Sequence, residues 1–214
     1  MTDWKRYYQT RFQPDPRRTA IWGVVCGWLQ REVPSDASVL ELGAGYCDFI
    51  NQIRAARKVA VDISETVRQA AAKDVETHVG PCQQLDFLGD ESIDVVFASN
   101  LFEHLTLPEL QTTLGEVRRV LKPGGKLLVI QPNFRYSYRD YFDDYTHVTI
   151  YTERGLADAI AGAGIEPVQV RARFLPFSMK SRMPTFTPLV WLYLRSPFKP
   201  FAGQMMILAR KPAG

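Results

Sequence analysis

Several things are scarce in this sequence, and each shortage removes a class of protein. No apolar stretch in the 214 residues reaches the roughly eighteen needed to cross a bilayer as a helix. The start, Met1-Thr2-Asp3-Trp4-Lys5-Arg6, lacks the basic-then-apolar layout of a signal peptide, so a cytoplasmic location is expected. Cysteine occurs only at Cys26, Cys47 and Cys82, with no zinc-site or redox spacing, which predicts reduced thiols and no structural metal. Histidine is equally rare (His78, His104, His147), so few side chains are suited to proton transfer near neutral pH. There is no internal repeat to suggest a solenoid. Acid is missing altogether from Arg171 to Gly214, where eight basic residues stand. The whole chain has 26 basic and 23 acidic residues, so the preceding part carries 18 − 23 = −5. Such a tail either faces an anionic partner or is simply a solvated flank of buried strands.

What is present alternates. Ile21, Val24, Val25, Trp28 and Leu29 have helical spacing, and Pro34-Ser35-Asp36 ends that segment. Ser38 to Leu42 reads as a strand, then a glycine turn, then a helix over 48–57 with Phe49, Ile50 and Ile53 on one face. Lys58 to Asp62 is a second strand, followed by a helix over 64–73 with Ser64 as N-cap. Glu76 to Val79 and Ile93 to Ala98 are further strands. Thr106 and Glu109 make a capping box for a helix whose stripe is Leu110, Leu114, Val117 and Leu121. Lys122 to Gly125 reads as a turn into a fifth strand, Lys126 to Ile130. A helix over 152–163, a strand over 167–173 and a last strand, Gln204 to Ala209, complete the order. Strands alternating with helices give an α/β fold, a doubly wound, mostly parallel sheet with helices on both faces. An N-terminal helical cap is expected over 1–35. The main domain takes 36–214, with an insertion at about 175–203.

The first turn of such a sheet is a nucleotide site, because helix N–H groups point outward there. Here it is Glu41-Leu42-Gly43-Ala44-Gly45. Gly43 and Gly45 let a ligand lie against the backbone and make positive φ accessible. Asp62 ends the second strand, 62 − 43 = 19 residues beyond the first glycine, where a carboxylate can accept both hydroxyls of a ribose. A dinucleotide fingerprint calls for a small third residue under the pyrophosphate. Asp48 stands there instead, a charge of the wrong sign. A cationic sulfonium ligand without phosphates tolerates Glu41 and Asp48 nearby.

With these residues in view, the chain resembles the class I S-adenosylmethionine-dependent methyltransferase family, in its small single-domain bacterial form. The likeness spans about residues 36 to 172 and rests on four blocks. They are Val39 to Gly45, Ala60-Val61-Asp62, Asp94 to Leu105, and Leu121 to Leu128. It implies a Rossmann-like seven-stranded sheet whose last strand is antiparallel, and S-adenosylmethionine as cofactor. It further implies that Glu41, Gly43, Ala44 and Gly45 surround the methionine part and that Asp62 holds the ribose. Ile63 packs on the adenine, and Asn100, Leu101 and the backbone of Cys82 close the adenine end. The chain departs from the family at Cys47, where a third glycine is common, and at Gly80-Pro81-Cys82, where an acid is common. Asp86 is a candidate substitute for that acid. Packed, inert thiols are expected for Cys47 and Cys82.

Methyl transfer needs an aligned acceptor and, for a hydroxyl, a base. His147, in Tyr141-Phe142-Asp143-Asp144-Tyr145-Thr146-His147, is the strongest candidate, with Asp143 or Asp144 orienting its imidazole. A backbone-bonded surface histidine is the alternative. His104 either takes part or caps the pocket. The expected reaction is O-methylation of a small sugar, glycan precursor or metabolite, with an anionic or lipid-linked acceptor among the options. The rivals are an RNA or protein methyltransferase using the basic tail, or a cofactor-binding scaffold. Ser99-Asn100-Leu101-Phe102 is not the clamp of enzymes that methylate base amino groups, so nucleic acid is the less favoured partner. The aromatic and basic run over 175–203 suits a lid, a homodimer patch or a membrane-surface contact.

Overall fold

The computed structural model describes residues 15–176 and 186–213. The N-terminal run Trp4 to Phe12 and the middle of the basic aromatic segment lie outside the described residues. Among the described residues there are seven strands: β1 (Ser38–Leu42), β2 (Arg57–Asp62), β3 (Val75–Val79), β4 (Ile93–Ser99), β5 (Leu121–Pro132), β6 (Glu166–Arg171) and β7 (Gln204–Arg210). They form one sheet in the order β3-β2-β1-β4-β5-β7-β6. The first five run parallel, and β7 enters antiparallel between β5 and β6. The helices are α1 (Pro16–Leu29), α2 (Thr66–Ala70), α3 (Leu107–Val120), α4 (Phe134–Ser137), α5 (Glu153–Gly162) and α6 (Thr187–Arg195).

Central parallel strands covered on both faces must be apolar on both. Val39, Leu40, Leu42, Val59, Ala60, Val96 and Phe97 are accordingly all sealed from solvent. Beneath one face α3 and α5 contribute Leu110, Leu114, Val117, Leu156 and Ile160. Over the other lie Val25, Cys26, Trp28 and Leu29 of α1, together with Phe49, Ile50 and Ile53. Phe49 stacks on Phe97 of β4 with ring centres 3.8 Å apart. The helix of the expected cap thus buries its apolar residues against the sheet. At its N-terminus α3 carries the expected box: the Glu109 carboxylate accepts the Thr106 N–H at 2.8 Å and its hydroxyl at 2.6 Å.

Four local expectations are corrected. The stretch 48–57 is not a helix but a chain of turns, although Phe49, Ile50 and Ile53 are buried as expected. Left-handed Cys47 (φ 59°) and the start of β2 at Arg57 leave room for only isolated i to i−4 bonds, Asn51 to Cys47 and Ile53 to Phe49. The helix after β2 is a short one, because Asn51 captures the Ala70 carbonyl and the Ala72 N–H at its end. The fifth strand begins earlier than expected, at Leu121, but the expected turn survives inside it: Ile93 pairs with Leu121 and Val95 with Lys126, so Lys122 to Gly125 bulge out between them, with Gly124 at φ 75°. Finally, β6 ends at Arg171 rather than at residue 173.

Candidate active site

The glycine turn leaves β1 at the carboxyl edge of the sheet. Gly43, Gly45 and Cys47 all have positive φ, at 63°, 52° and 59°. Gly43 must be glycine for a second reason. A Cβ there would sit 2.9 Å from Leu101 Cδ1, so the segment after β4 rests directly on the turn. Ala44 is buried and donates its N–H to the Val61 carbonyl at 3.1 Å. Asp62 fixes the other side: its carboxylate accepts the Gly45 N–H and the Ser64 N–H, each at 2.8 Å. The next residue, Ile63, is 50% exposed and offers an apolar surface beside that carboxylate. Asn100 is left-handed (φ 49°), bonds the Ile130 carbonyl through its N–H, and accepts from Gln204 Nε2 at 2.7 Å. Cys82 turns its thiol inward to Thr113 of α3 at 3.5 Å, and burial pushes that thiol up to about 11. The Cys47 thiol is buried and pushed up to about 12. Asp86 is exposed.

The charges around the turn differ from the sequence reading. Asp48 is paired with Arg18 of α1, whose Nε donates to it at 2.6 Å. Glu41 is buried, receives the Ile50 N–H at 3.0 Å, and burial raises its carboxyl well above the usual range. Neither therefore supplies an open negative charge to a ligand. The strand-end acid is Asp62.

A second constellation lies after β4 and β5. The short 3-10 turn Phe102–His104 and the loop over 144–149 are held together by Val148 and Thr149, whose N–H groups both bond the Glu103 carbonyl. His104 and His147 meet edge to face with ring centres 4.9 Å apart. His147 is only 8% exposed, and its Nδ1 lies 2.5 Å from the Tyr141 carbonyl. A carbonyl can only accept, so Nδ1 carries the proton and Nε2 is the basic nitrogen. His104 Nδ1 faces the Thr146 hydroxyl at 2.9 Å, and that hydroxyl donates to Asp144 Oδ1 at 2.6 Å. Burial, aided by the neighbouring imidazole, lowers His104 to about 4. The expected partner of His147 was Asp143 or Asp144; the contact seen at Nδ1 is a backbone carbonyl, while Asp144 reaches His104 through Thr146. His78 stands apart, stacked on Phe87 at 3.5 Å.

Known proteins share the fold. A family described as a methyltransferase domain matches residues 40–129, from β1 through the core of β5. A structure of a SAM-dependent methyltransferase from Archaeoglobus fulgidus superposes with a TM-score of 0.67 at 19% identity, covering 97% of this chain and 99% of that one. Residues 40–129 thus match a methyltransferase domain, and the chain has the fold of S-adenosylmethionine-dependent methyltransferases of known structure. The putative methyltransferase of Haloferax volcanii, solved in complex with the Trm112 methyltransferase activator, shares this methyltransferase fold. Its TM-score is 0.71 at 17% identity, over 99% of both chains. Among curated relatives, an uncharacterized protein of Mycobacterium tuberculosis is 27% identical over 139 residues, 57% of this chain and 46% of that protein. Malonyl-[acyl-carrier protein] O-methyltransferase 1 of Coxiella burnetii is 33% identical over 117 residues, 51% of this chain and 40% of that protein. The chain thus spans about half the length of the curated relatives it matches.

Bare backbone at Gly43 and Gly45, the Asp62 carboxylate and the half-exposed Ile63 stand side by side along the turn. The charge at the third position, Asp48, is already neutralised by Arg18. One buried residue beside the two histidines was missed by sequence reasoning. Glu103 is completely buried, and neither of its carboxylate oxygens has a hydrogen-bond partner among the described residues. Its signal was available: an acid inside the apolar run Leu101 to Leu105, next to a histidine.

Proposed function

We propose that the chain transfers the S-adenosylmethionine methyl group to a hydroxyl of a small acceptor, with His147 taking the proton. The cofactor supplies an activated methyl on a good leaving group; the protein's tasks are alignment and proton removal. One observation carries the reading. A buried imidazole whose tautomer is fixed by the Tyr141 carbonyl sits on the loop that packs against the segment closing the glycine turn. In this scheme Gly43, Ala44 and Gly45 hold the methionine part, with Glu41 bracing the turn through Ile50, and Asp62 holds the ribose. Ile63, Cys82, Asn100 and Leu101 line the adenine. His104, aligned through Thr146 to Asp144, keeps its own ring neutral beside His147. The Coxiella relative, named as an O-methyltransferase of an acyl carrier, supports oxygen as the acceptor atom. Phe186, Trp191, Phe198 and Phe201 are exposed beside a tail without acids, which supports an anionic or lipid-linked acceptor.

The test follows transfer of a labelled methyl group from S-adenosylmethionine to a panel of sugar, phenol and acyl hydroxyls. His147→Gln is expected to lower kcat by about 10²–10⁴-fold while calorimetric binding of S-adenosylhomocysteine stays unchanged. Equal turnover in the variant removes His147 as the base. Absence of cofactor binding in the parent removes the enzyme reading.

A further inference from the structure

The Glu103 carboxyl poses a problem that methyl transfer does not solve. It is fully buried with both oxygens unpartnered among the described residues, and burial raises it to about 8. Protonation does not repair this, because a neutral acid still carries an O–H and a carbonyl oxygen that need partners. Leaving such groups unmet costs a few kcal/mol. A native fold keeps that arrangement when something completes it.

What Glu103 faces is informative. One carboxylate oxygen and one nitrogen from each of His104 and His147 all lie within 4.8 Å of one another. Each ring already has its Nδ1 against the protein, His147 on the Tyr141 carbonyl and His104 on Thr146, which in turn bonds Asp144. Metal-binding histidines are held this way, the second nitrogen fixed by a carbonyl or by a chain to a carboxylate. We propose that Glu103, His104 and His147 bind one divalent transition-metal ion of the zinc class. Two imidazoles and one carboxylate make up the ligand set of open zinc sites, which keep a fourth position for an exchangeable ligand. Bonds of about 2.0–2.1 Å place tetrahedral ligand atoms roughly 3.3 Å apart, so small side-chain rotations draw the three together. An all-oxygen preference argues against magnesium or calcium here.

The inference concerns ion binding and stands whether or not a methyl group is transferred. With the ion on its Nε2, His147 would no longer be the base, and a hydroxyl at the open position would be acidified by the ion instead.

The test uses the full chain, stripped with a chelator and titrated with zinc chloride by calorimetry, and separately with cobalt chloride by visible absorption. One equivalent per chain is expected, with the intense cobalt bands of a four- or five-coordinate site. Glu103→Gln should abolish that binding. Thr146→Val, which removes only the support of His104, should weaken it about 10–100-fold. Melting curves and S-adenosylhomocysteine binding report that both variants are folded; should Glu103→Gln fail that check, Thr146→Val decides alone. No stoichiometric binding in the parent, or titrations indistinguishable among parent and folded variants, overturns the proposal. A buried water in place of the ion gives the first of those results.

Discussion

Replacing Gly43 by alanine isolates what the turn contributes to cofactor binding. The residue sits at φ 63°, where an L-side chain costs roughly 1–2 kcal/mol. Its new Cβ would also lie 2.9 Å from Leu101 Cδ1 and 3.3 Å from Cδ2. Leu101 is only partly buried and can turn aside, so the packing cost falls near the lower end of the roughly 1–3 kcal/mol seen for overfilled sites. If the free protein relieves this strain by opening the turn, binding must pay it back. About 2 kcal/mol corresponds to roughly 30-fold weaker binding of S-adenosylhomocysteine. Calorimetry on the single variant and on the Gly43→Ala/Leu101→Ala pair separates the two contributions. The pair relieves the clash but not the left-handed backbone, so it should remain about 5-fold weaker than Leu101→Ala alone. Gly115→Ala is the control: a Cβ there meets nothing within 4 Å inside α3, and the change should stabilise the fold by up to ~1 kcal/mol. Binding by Gly43→Ala within twofold of the parent would refute the reasoning.

Two further outcomes test the surroundings of the site. Glu116 bonds Arg119 through both oxygens at 2.8 Å and receives the Leu85 N–H at 3.0 Å, and the Arg119 hydrogen bond lowers its carboxyl below 4.5. A carboxyl lowered in the fold stabilises above its unfolded value and loses that contribution as pH falls. Glu116→Gln should therefore cost about 0.5–1 kcal/mol in urea unfolding at pH 7, and the gap should close toward pH 3; a gap independent of pH counts against the ion pair. The three free thiols are all buried, and burial raises Cys26 as well as Cys47 and Cys82. Because the thiolate is the reactive form, a disulfide reagent at pH 8 should label none rapidly in the native protein and all three in guanidinium; one fast native equivalent contradicts the packing described.

The strands were legible because buried parallel strands need continuous β-branched and apolar runs, and Val39-Leu40 and Val95-Val96-Phe97 supply them. The capping box at Thr106 and Glu109 was equally readable, being a local contact three residues long. Long-range pairing was not. Asp48 looked like an open charge because Arg18, thirty residues earlier, carries no mark in the sequence of where it will lie. The helical periodicity over 48–57 reported the buried face correctly but not the backbone, since Cys47 takes a left-handed conformation that its residue type does not advertise. His104 and His147 were each singled out, yet their edge-to-face meeting across some forty residues, with Glu103 beneath, is a property of the sheet that brings two loops to one edge.

The position of β7 has a consequence for how the molecule comes apart. Strand β6 has a single neighbour in the sheet, and that neighbour is the segment 204–210 arriving from the far side of α6. Loss of those seven residues would do more than shorten the sheet: β5 would become a bare edge, and everything from 166 to 171 would be cut adrift together with the surface that α5 covers. One border of the molecule is therefore a clasp, fastened by the chain's late residues and joined to the segment after β4 through the Gln204 to Asn100 bond.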